Sequence, residues 1–170
     1  GGTEERGRGG KRCAYGRTGG TELNGRKNFT EVFMRNDCRE AAMCVLFAEQ
    51  FNEEGCTREF INRVYKKFNI EKKEELEFAD ELLNAVSEHR REIISAIEAA
   101  SHHYLENRIY PLDKCVLMLA VAEILYFDDK EIPPVVSVAE ATNLAKKYSG
   151  DTAADFVNGV LSGIINKKAE

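Results

Sequence analysis

Apolar residues recur at steps of three and four along most of this chain, beginning near residue 34. Cys38, Ala41, Val45 and Ala48 form the first such stripe, and this spacing is typical of one buried face of an α-helix. Strict alternation of apolar and polar residues, which would indicate strands, is almost absent. The pattern therefore predicts an all-α fold.

Further stripes run over residues 60–68, 78–86, 93–104, 135–145 and 153–164. Thr57 is placed to cap the second helix, since threonine accepts hydrogen bonds from free backbone N–H groups at a helix start. Pro133-Pro134 predicts a stop and a new helix start. Gly150 predicts the end of that helix, and Asp151 or Thr152 the cap of the last one.

The segment from Leu112 to Phe127 is apolar on nearly every side of a helix, which predicts a central position in the fold. Glu123 interrupts it, and a buried carboxylate must be paired, hydrogen-bonded or protonated. Glu123 could be a general base, a cap for a neighbouring helix or the partner of an arginine. The structural roles are favoured because no second acid or histidine lies beside it at helical spacing.

Asn158-Gly159 is by itself a strong signal for a hairpin turn. The apolar stripe of Ala153, Val157, Val160 and Ile164 runs through it without a break, so a helix is predicted instead. Gly159 and Gly163 then lie beside Phe156, each at a cost of up to about 1 kcal/mol relative to alanine. Small residues one turn apart leave room for a close approach by a ligand or another backbone.

Charge divides the 170-residue chain into two unequal parts. Residues 1–33 contain nine of the 13 glycines, and their seven Lys or Arg against four Glu give a net charge of +3. The whole chain has a net charge of −5, so the remaining residues carry −8. We expect 1–33 to be a disordered Gly/Arg-rich segment and 34–168 to be one helical domain. The segment could be an RNA-binding tail, but a leader preceding a native start at Met34 is favoured.

The sequence contains few residue patterns that are typical of enzymes. Five cysteines form no CxxC pair, so reduced thiols in a cytoplasm are expected. No apolar run approaches the roughly 20 residues of a membrane span, and no secretory signal is visible. Phosphate-loop, dinucleotide and zinc-protease motifs are absent. We therefore predict a binding protein with no catalytic residues, metal or cofactor.

The C-terminal half resembles the NusB family of bacterial transcription antitermination factors. The resemblance is carried by Asp113-Lys114 opening a long apolar helix, by Ala122-Glu123-Ile124-Leu125 and above all by Phe156-Val157-Asn158-Gly159-Val160-Leu161. The opening helix RNDCREAAMCVLFAEQF is similar too. The resemblance implies about seven helices in two crossed small bundles. It also implies binding of boxA RNA with ribosomal protein NusE, in an RNA polymerase complex that supports ribosomal RNA transcription.

The same resemblance assigns functional residues. Asp113 is implied to contact the protein partner, and homodimers are known among relatives. The residues implied to bind RNA are Arg35, Arg39, Phe47, Lys146, Lys147, Thr152 and Phe156. Phe156 would offer a stacking surface for an unpaired base.

Two alternatives stay open. Asn36 and Asp37 stand between the two arginines of a helix that is usually richer in arginine in this family, and Met118 stands where an arginine is common. A helical protein-interaction module with weak or lost RNA binding is therefore the second hypothesis, since phosphate binding scales with cationic contacts. The RNA-binding appendage of a methyltransferase is less favoured because no catalytic domain follows.

Overall fold

The computed structural model describes residues 29–102, 105–127 and 132–169. All regular secondary structure in these ranges is helical, as predicted. The helices are α1 (Phe29–Glu49), α2 (Arg58–Lys67), α3 (Lys73–Glu88), α4 (Arg90–Ala100), α5 (Pro111–Tyr126), α6 (Pro134–Ser149) and α7 (Asp151–Ala169), with a short 3-10 turn at Glu106–Arg108.

Helix α5 lies at the centre of the fold. Its residues are buried continuously from Cys115 to Ile124, and it packs against α1, α3, α4, α6 and α7. On one side of it α1 packs against α2 and α3, and on the other α6 packs against α7. The prediction of a central helix is confirmed, and its cause is the absence of a polar face that could remain in water.

Several helix ends lie at the capping, proline and glycine residues that predicted them. The Thr57 side chain accepts a hydrogen bond from the Phe60 backbone N–H and caps α2. Pro134 begins α6, and Gly150 ends it with a φ of 94°. That left-handed conformation is open to glycine at little cost, and it turns the chain directly into α7.

Two predicted boundaries are wrong. Helix α1 begins at Phe29, so residues 29–33 belong to it rather than to the N-terminal segment; Phe29, Val32 and Phe33 continue the spacing of three and four. Helix α4 ends at Ala100, and His102 has a φ of 55°, so the predicted fourth helix is shorter than expected; Tyr104, which was also placed on it, lies outside the described residues. Residues 1–28, for which disorder was predicted, lie outside the described residues.

Asn158 and Gly159 lie within α7, which runs unbroken from Asp151 to Ala169. The hairpin reading of this pair is thereby excluded, and the helix is confirmed. Val157, Val160 and Leu161 are buried on one side, whereas Asn158 and Gly159 are exposed. Burial of the apolar stripe has outweighed the local turn preference of the pair.

Candidate nucleic-acid and protein interface

An apolar groove lies where the end of α1, the start of α5 and the start of α7 come together. It encloses about 780 Å³. The residues that line it are Phe47, Phe51, Arg108, Ile109, Tyr110, Pro111, Leu112, Asp113, Ser149, Thr152, Ala153 and Phe156. Four residues predicted from three separate segments, Phe47, Asp113, Thr152 and Phe156, are thus brought to one site.

Aromatic side chains form one wall of the groove. Phe47 and Phe51 pack edge to face with ring centroids 5.1 Å apart. Phe51 is 71% exposed and Tyr110 is 79% exposed. Both line the same groove, and exposed apolar side chains that are grouped in this way are typical of a binding site. Neither residue was among the predicted site residues, although their positions just beyond α1 and just before α5 were available signals.

A glutamine joins the two helices that form the groove's floor. Gln50 Nε2 donates to the backbone oxygen of Pro111 at 2.9 Å and to Cys115 Sγ at 2.7 Å. These contacts tie the end of α1 to the first turn of α5. Burial raises the pKa of the Cys115 thiol to about 12, so this sulfur is neutral at physiological pH and serves as an acceptor.

Asp113 is the most unusual polar residue of the groove. It lies in the first turn of α5 and is only 4% exposed. Its Oδ1 is the one buried side-chain nitrogen or oxygen without a hydrogen-bond partner among the described residues. Leaving such an atom unsatisfied costs roughly 1–3 kcal/mol, so Asp113 is suited to accept a hydrogen bond from a bound molecule.

Arg39, which the family resemblance implied to contact RNA, lies inside the protein. It is 5% exposed; Nε donates to Glu123 Oε2 at 2.8 Å and Nη2 to Glu123 Oε1 at 2.5 Å, while Nη1 donates to Asn36 Oδ1 at 2.8 Å. All three guanidinium nitrogens are therefore engaged inside the protein. This geometry argues against the expected direct contact of Arg39 with RNA, and it makes Glu123 the partner of an arginine, one of the structural roles considered for it.

Arg35 lies one turn from Arg39 on the same face of α1, as the spacing predicted. It is half-buried, and its guanidinium carbon lies 5.1 Å from the centroid of the Phe78 ring. Arg39 lies 5.5 Å from the same centroid. Arg35 also lines a second, acidic groove along α3, whose walls include Glu74, Glu77, Glu81 and Glu88. Arg35 is thus separate from the apolar groove.

The two lysines at the end of α6 lie beside acidic groups. Lys147 Nζ donates to Glu40 Oε1 at 2.7 Å, and the Tyr148 hydroxyl donates to the same oxygen. Lys146 Nζ lies 3.5 Å from Asp151 Oδ1, with both side chains mostly exposed. An exposed pair such as Lys146–Asp151 contributes at most about 1 kcal/mol, so this ammonium group can exchange its carboxylate for a phosphate. The Glu40 side chain is only 12% exposed, so Lys147 is held more firmly.

The part of the chain that the structure describes contains no group of three His, Cys, Asp or Glu side chains that could hold a metal ion. Among the described residues, no helix is long and apolar enough to cross a membrane.

Burial raises the pKa of the Cys38 thiol to about 12, which makes it a poor nucleophile at neutral pH.

Comparison with known proteins identifies relatives over most of this helical region. A sequence model of the NusB family matches residues 36–166. The transcription antitermination protein NusB of Anaeromyxobacter dehalogenans is 35% identical over 130 residues, covering 76% of this chain and 89% of its own length. That of Agathobacter rectalis is 35% identical over 128 residues, covering 75% and 96%.

Solved structures show the same fold. A crystal structure of the antitermination factors NusB and NusE in complex with double-stranded RNA matches with a TM-score of 0.69 at 31% identity, covering 79% of this chain and 98% of that one. NusB of T. maritima matches with a TM-score of 0.67 at 27% identity, covering 78% and 91%.

Proposed function

Because this chain belongs to the NusB family, we propose that it is a transcription antitermination factor that binds boxA RNA together with ribosomal protein NusE. In this role it joins the RNA polymerase antitermination complex in the cytoplasm and supports transcription of ribosomal RNA. It binds rather than catalyses. The RNA-binding domain of this proposal is the helical region, which was predicted over 34–168 and which begins with α1 at Phe29.

The observation that carries this proposal is the convergence of Phe47, Asp113, Thr152 and Phe156 on one groove. Exposed aromatic rings and a buried, unpartnered carboxylate oxygen are suited to a protein that brings apolar side chains and an N–H donor. We assign this groove to NusE. A phosphate would be repelled by Asp113, so RNA binds at the edges of the groove rather than in its floor.

Phe156, Thr152, Lys146 and Lys147 form the proposed RNA edge. Thr152 is exposed and Phe156 half-buried in the first turns of α7, next to the end of α6 that carries both lysines. A base stacked on Phe156 would contribute about 1–3 kcal/mol, and the lysines would bind neighbouring phosphates. Arg35 provides a further cation on α1, while Arg39 acts indirectly by holding α1 against α5.

A helical protein-interaction module with weak RNA binding is the second candidate, and the state of the cations favours it. Arg39 is engaged with Glu123, and Lys147 with Glu40. With a charge of −8 over residues 34–170, RNA affinity would then depend on cations supplied by the protein partner.

Titration of a fluorescent boxA RNA by polarisation, with and without purified NusE, separates the two candidates. We expect binding that NusE strengthens, and we expect Phe156→Ala to weaken it about five- to a hundredfold while the circular dichroism of the protein is unchanged. Leu105→Ala, an exposed apolar position that does not line the groove, is the matched control. Binding of NusE without any binding of RNA would establish the interaction module instead.

A further inference from the structure

The Asp113 carboxylate stays in the groove although no described group forms a hydrogen bond with its Oδ1. Burying an acceptor without a donor is unfavourable, and helix ends open more readily than helix centres. Opening the first turn of α5 would release this oxygen into water. The position of Asp113 in the free protein therefore depends on whatever keeps that turn closed.

Gln50, the residue that follows α1, closes this turn from outside the helix. Tyr110 at the N-cap makes no capping hydrogen bond with its side chain, and Pro111 has no backbone N–H. Gln50 Nε2 donates to the Pro111 backbone oxygen and to Cys115 Sγ. Since Pro111 and Cys115 stand two residues before and two residues after Asp113, this one amide group bridges the turn that carries the carboxylate.

The same glutamine connects the two kinds of group that a partner would meet in the groove. Phe47 and Phe51, on either side of Gln50 in the sequence, form the aromatic wall, and Asp113 supplies the hydrogen-bond acceptor. Fixing α5 to the end of α1 therefore fixes the distance between the wall and the acceptor. A site whose groups are already in place binds more tightly, because less ordering is required when the partner arrives.

We infer that Gln50 is a positioning residue of the NusE groove: it holds the Asp113 carboxylate inward so that its unpartnered oxygen accepts an N–H group of NusE. This inference rests on the proposed function, since it concerns the groove assigned to NusE. Gln50 is not among the residues that line the groove. It therefore acts through Asp113 and not by touching the partner.

Isothermal titration of the full chain with purified NusE, in the absence of RNA, measures the effect. Gln50→Met keeps the length of the side chain and removes its N–H donors, so we expect NusE to bind between about threefold and thirtyfold more weakly. Asn52→Ala is the matched control, because the Asn52 amide lies in the same connection and its described side-chain hydrogen bonds involve only Glu54 and Gly55. This control should bind within about twofold of wild type.

Repeating the exchange in an Asp113→Ala background separates positioning from general support of the fold. If Gln50 acts through the carboxylate, Gln50→Met should change NusE affinity less than about twofold once the carboxylate is gone. A residue that only supports the fold would weaken binding equally in both backgrounds. Hydrogen exchange of the Lys114 backbone N–H, which donates to the Tyr110 backbone oxygen across this turn, gives a readout without NusE. Gln50→Met should speed this exchange, and Asn52→Ala should not.

The opposite results would overturn the inference. Equal binding of NusE by wild type and Gln50→Met would leave the proposed function standing without this role for Gln50. Equal weakening in both backgrounds, or unchanged exchange at Lys114, would show that Gln50 does not act by holding Asp113. Failure of wild type to bind NusE would remove the proposed function and the inference together.

Discussion

Arg39 and Glu123 form a two-point ion pair inside the protein, although 84 positions separate them in the sequence. Their side chains are 6% and 3% exposed. The pair joins α1 to α5, and the third guanidinium nitrogen is held by Asn36. Such a pair requires complete hydrogen bonding because both charges have lost their contact with water.

Removing one partner should destabilise the fold strongly. Arg39→Ala leaves the Glu123 carboxylate buried without a counter-charge, and we expect a loss of about 3–5 kcal/mol in the free energy of unfolding. Urea denaturation followed by circular dichroism measures this. A loss below about 1 kcal/mol would show that the pair is not buried as described.

The double variant Arg39→Met/Glu123→Leu is the control for that prediction. Both charges are replaced by apolar groups of similar length, so most of the lost stability should return. Its RNA affinity is equally informative. If Arg39 acts only by holding α1 against α5, the double variant should bind RNA as wild type does, whereas a direct contact would be lost.

The burial of Arg39 against Glu123 could not be predicted from a single sequence. The spacing of Arg35 and Arg39 correctly placed both on one face of α1, and Glu123 was correctly expected to need a partner. Neither pattern contains the information that these two residues meet, because that depends on how α1 packs across α5. Local periodicity predicts which face is shared but not what lies opposite it.

Lys147 should bind RNA more strongly once its carboxylate neighbour is removed. Glu40→Gln keeps an acceptor for the Tyr148 hydroxyl but removes the charge that Lys147 Nζ contacts at 2.7 Å. We expect RNA affinity to rise up to about fivefold and the salt dependence to steepen by nearly one unit of slope. Polarisation titrations at several salt concentrations measure both.

Glu53→Gln is the matched control for this effect. Glu53 is exposed in the connection after α1, so its replacement changes the net charge equally without releasing a lysine. An equal gain in affinity for both variants would indicate a general charge effect, and the specific pairing of Lys147 with Glu40 would then have no role in RNA binding.

Asp80 should make stability depend on acid pH. Burial raises the pKa of Asp80, but hydrogen bonds from Arg58 and Tyr65 outweigh it and hold the pKa below the ordinary value of 3.8. A lowered folded-state pKa stabilises the protein above the unfolded pKa, and this stability is lost as pH falls through the folded value. The difference in urea midpoint between wild type and Asp80→Asn should therefore shrink below about pH 4. A difference in urea midpoint that stays constant from pH 7 to pH 3 would contradict the predicted stabilisation by ionised Asp80.

Gly150→Ala should destabilise the protein, because its φ of 94° is strained for any residue with a Cβ. We expect a loss of about 1–3 kcal/mol, measured by thermal or urea unfolding. Gly159→Ala is the matched comparison, since the same exchange inside α7 should not reduce stability. Equal losses at both positions would contradict this account of the turn between α6 and α7.

Most of the fold could be read from the sequence, whereas only part of the site could. Apolar periodicity predicted α7 through Asn158-Gly159, and the cap at Thr57 and the stop at Gly150 were local signals of sufficient strength. Phe51 and Tyr110 were missed because a partly exposed aromatic residue at the end of a stripe looks like any core residue. The unsatisfied oxygen of Asp113 arises only when three helices meet around it.

Helix α5 carries Asp113 near one end and Glu123 near the other. Ten residues of helix separate these two carboxylates by about 15 Å along its axis, and α5 packs against five other helices. Helix α5 therefore sets the distance between these two ends of the molecule. A protein seated at Asp113 is held at a constant distance from the half of α1 that Arg39 fastens to Glu123, whichever nucleic acid is bound.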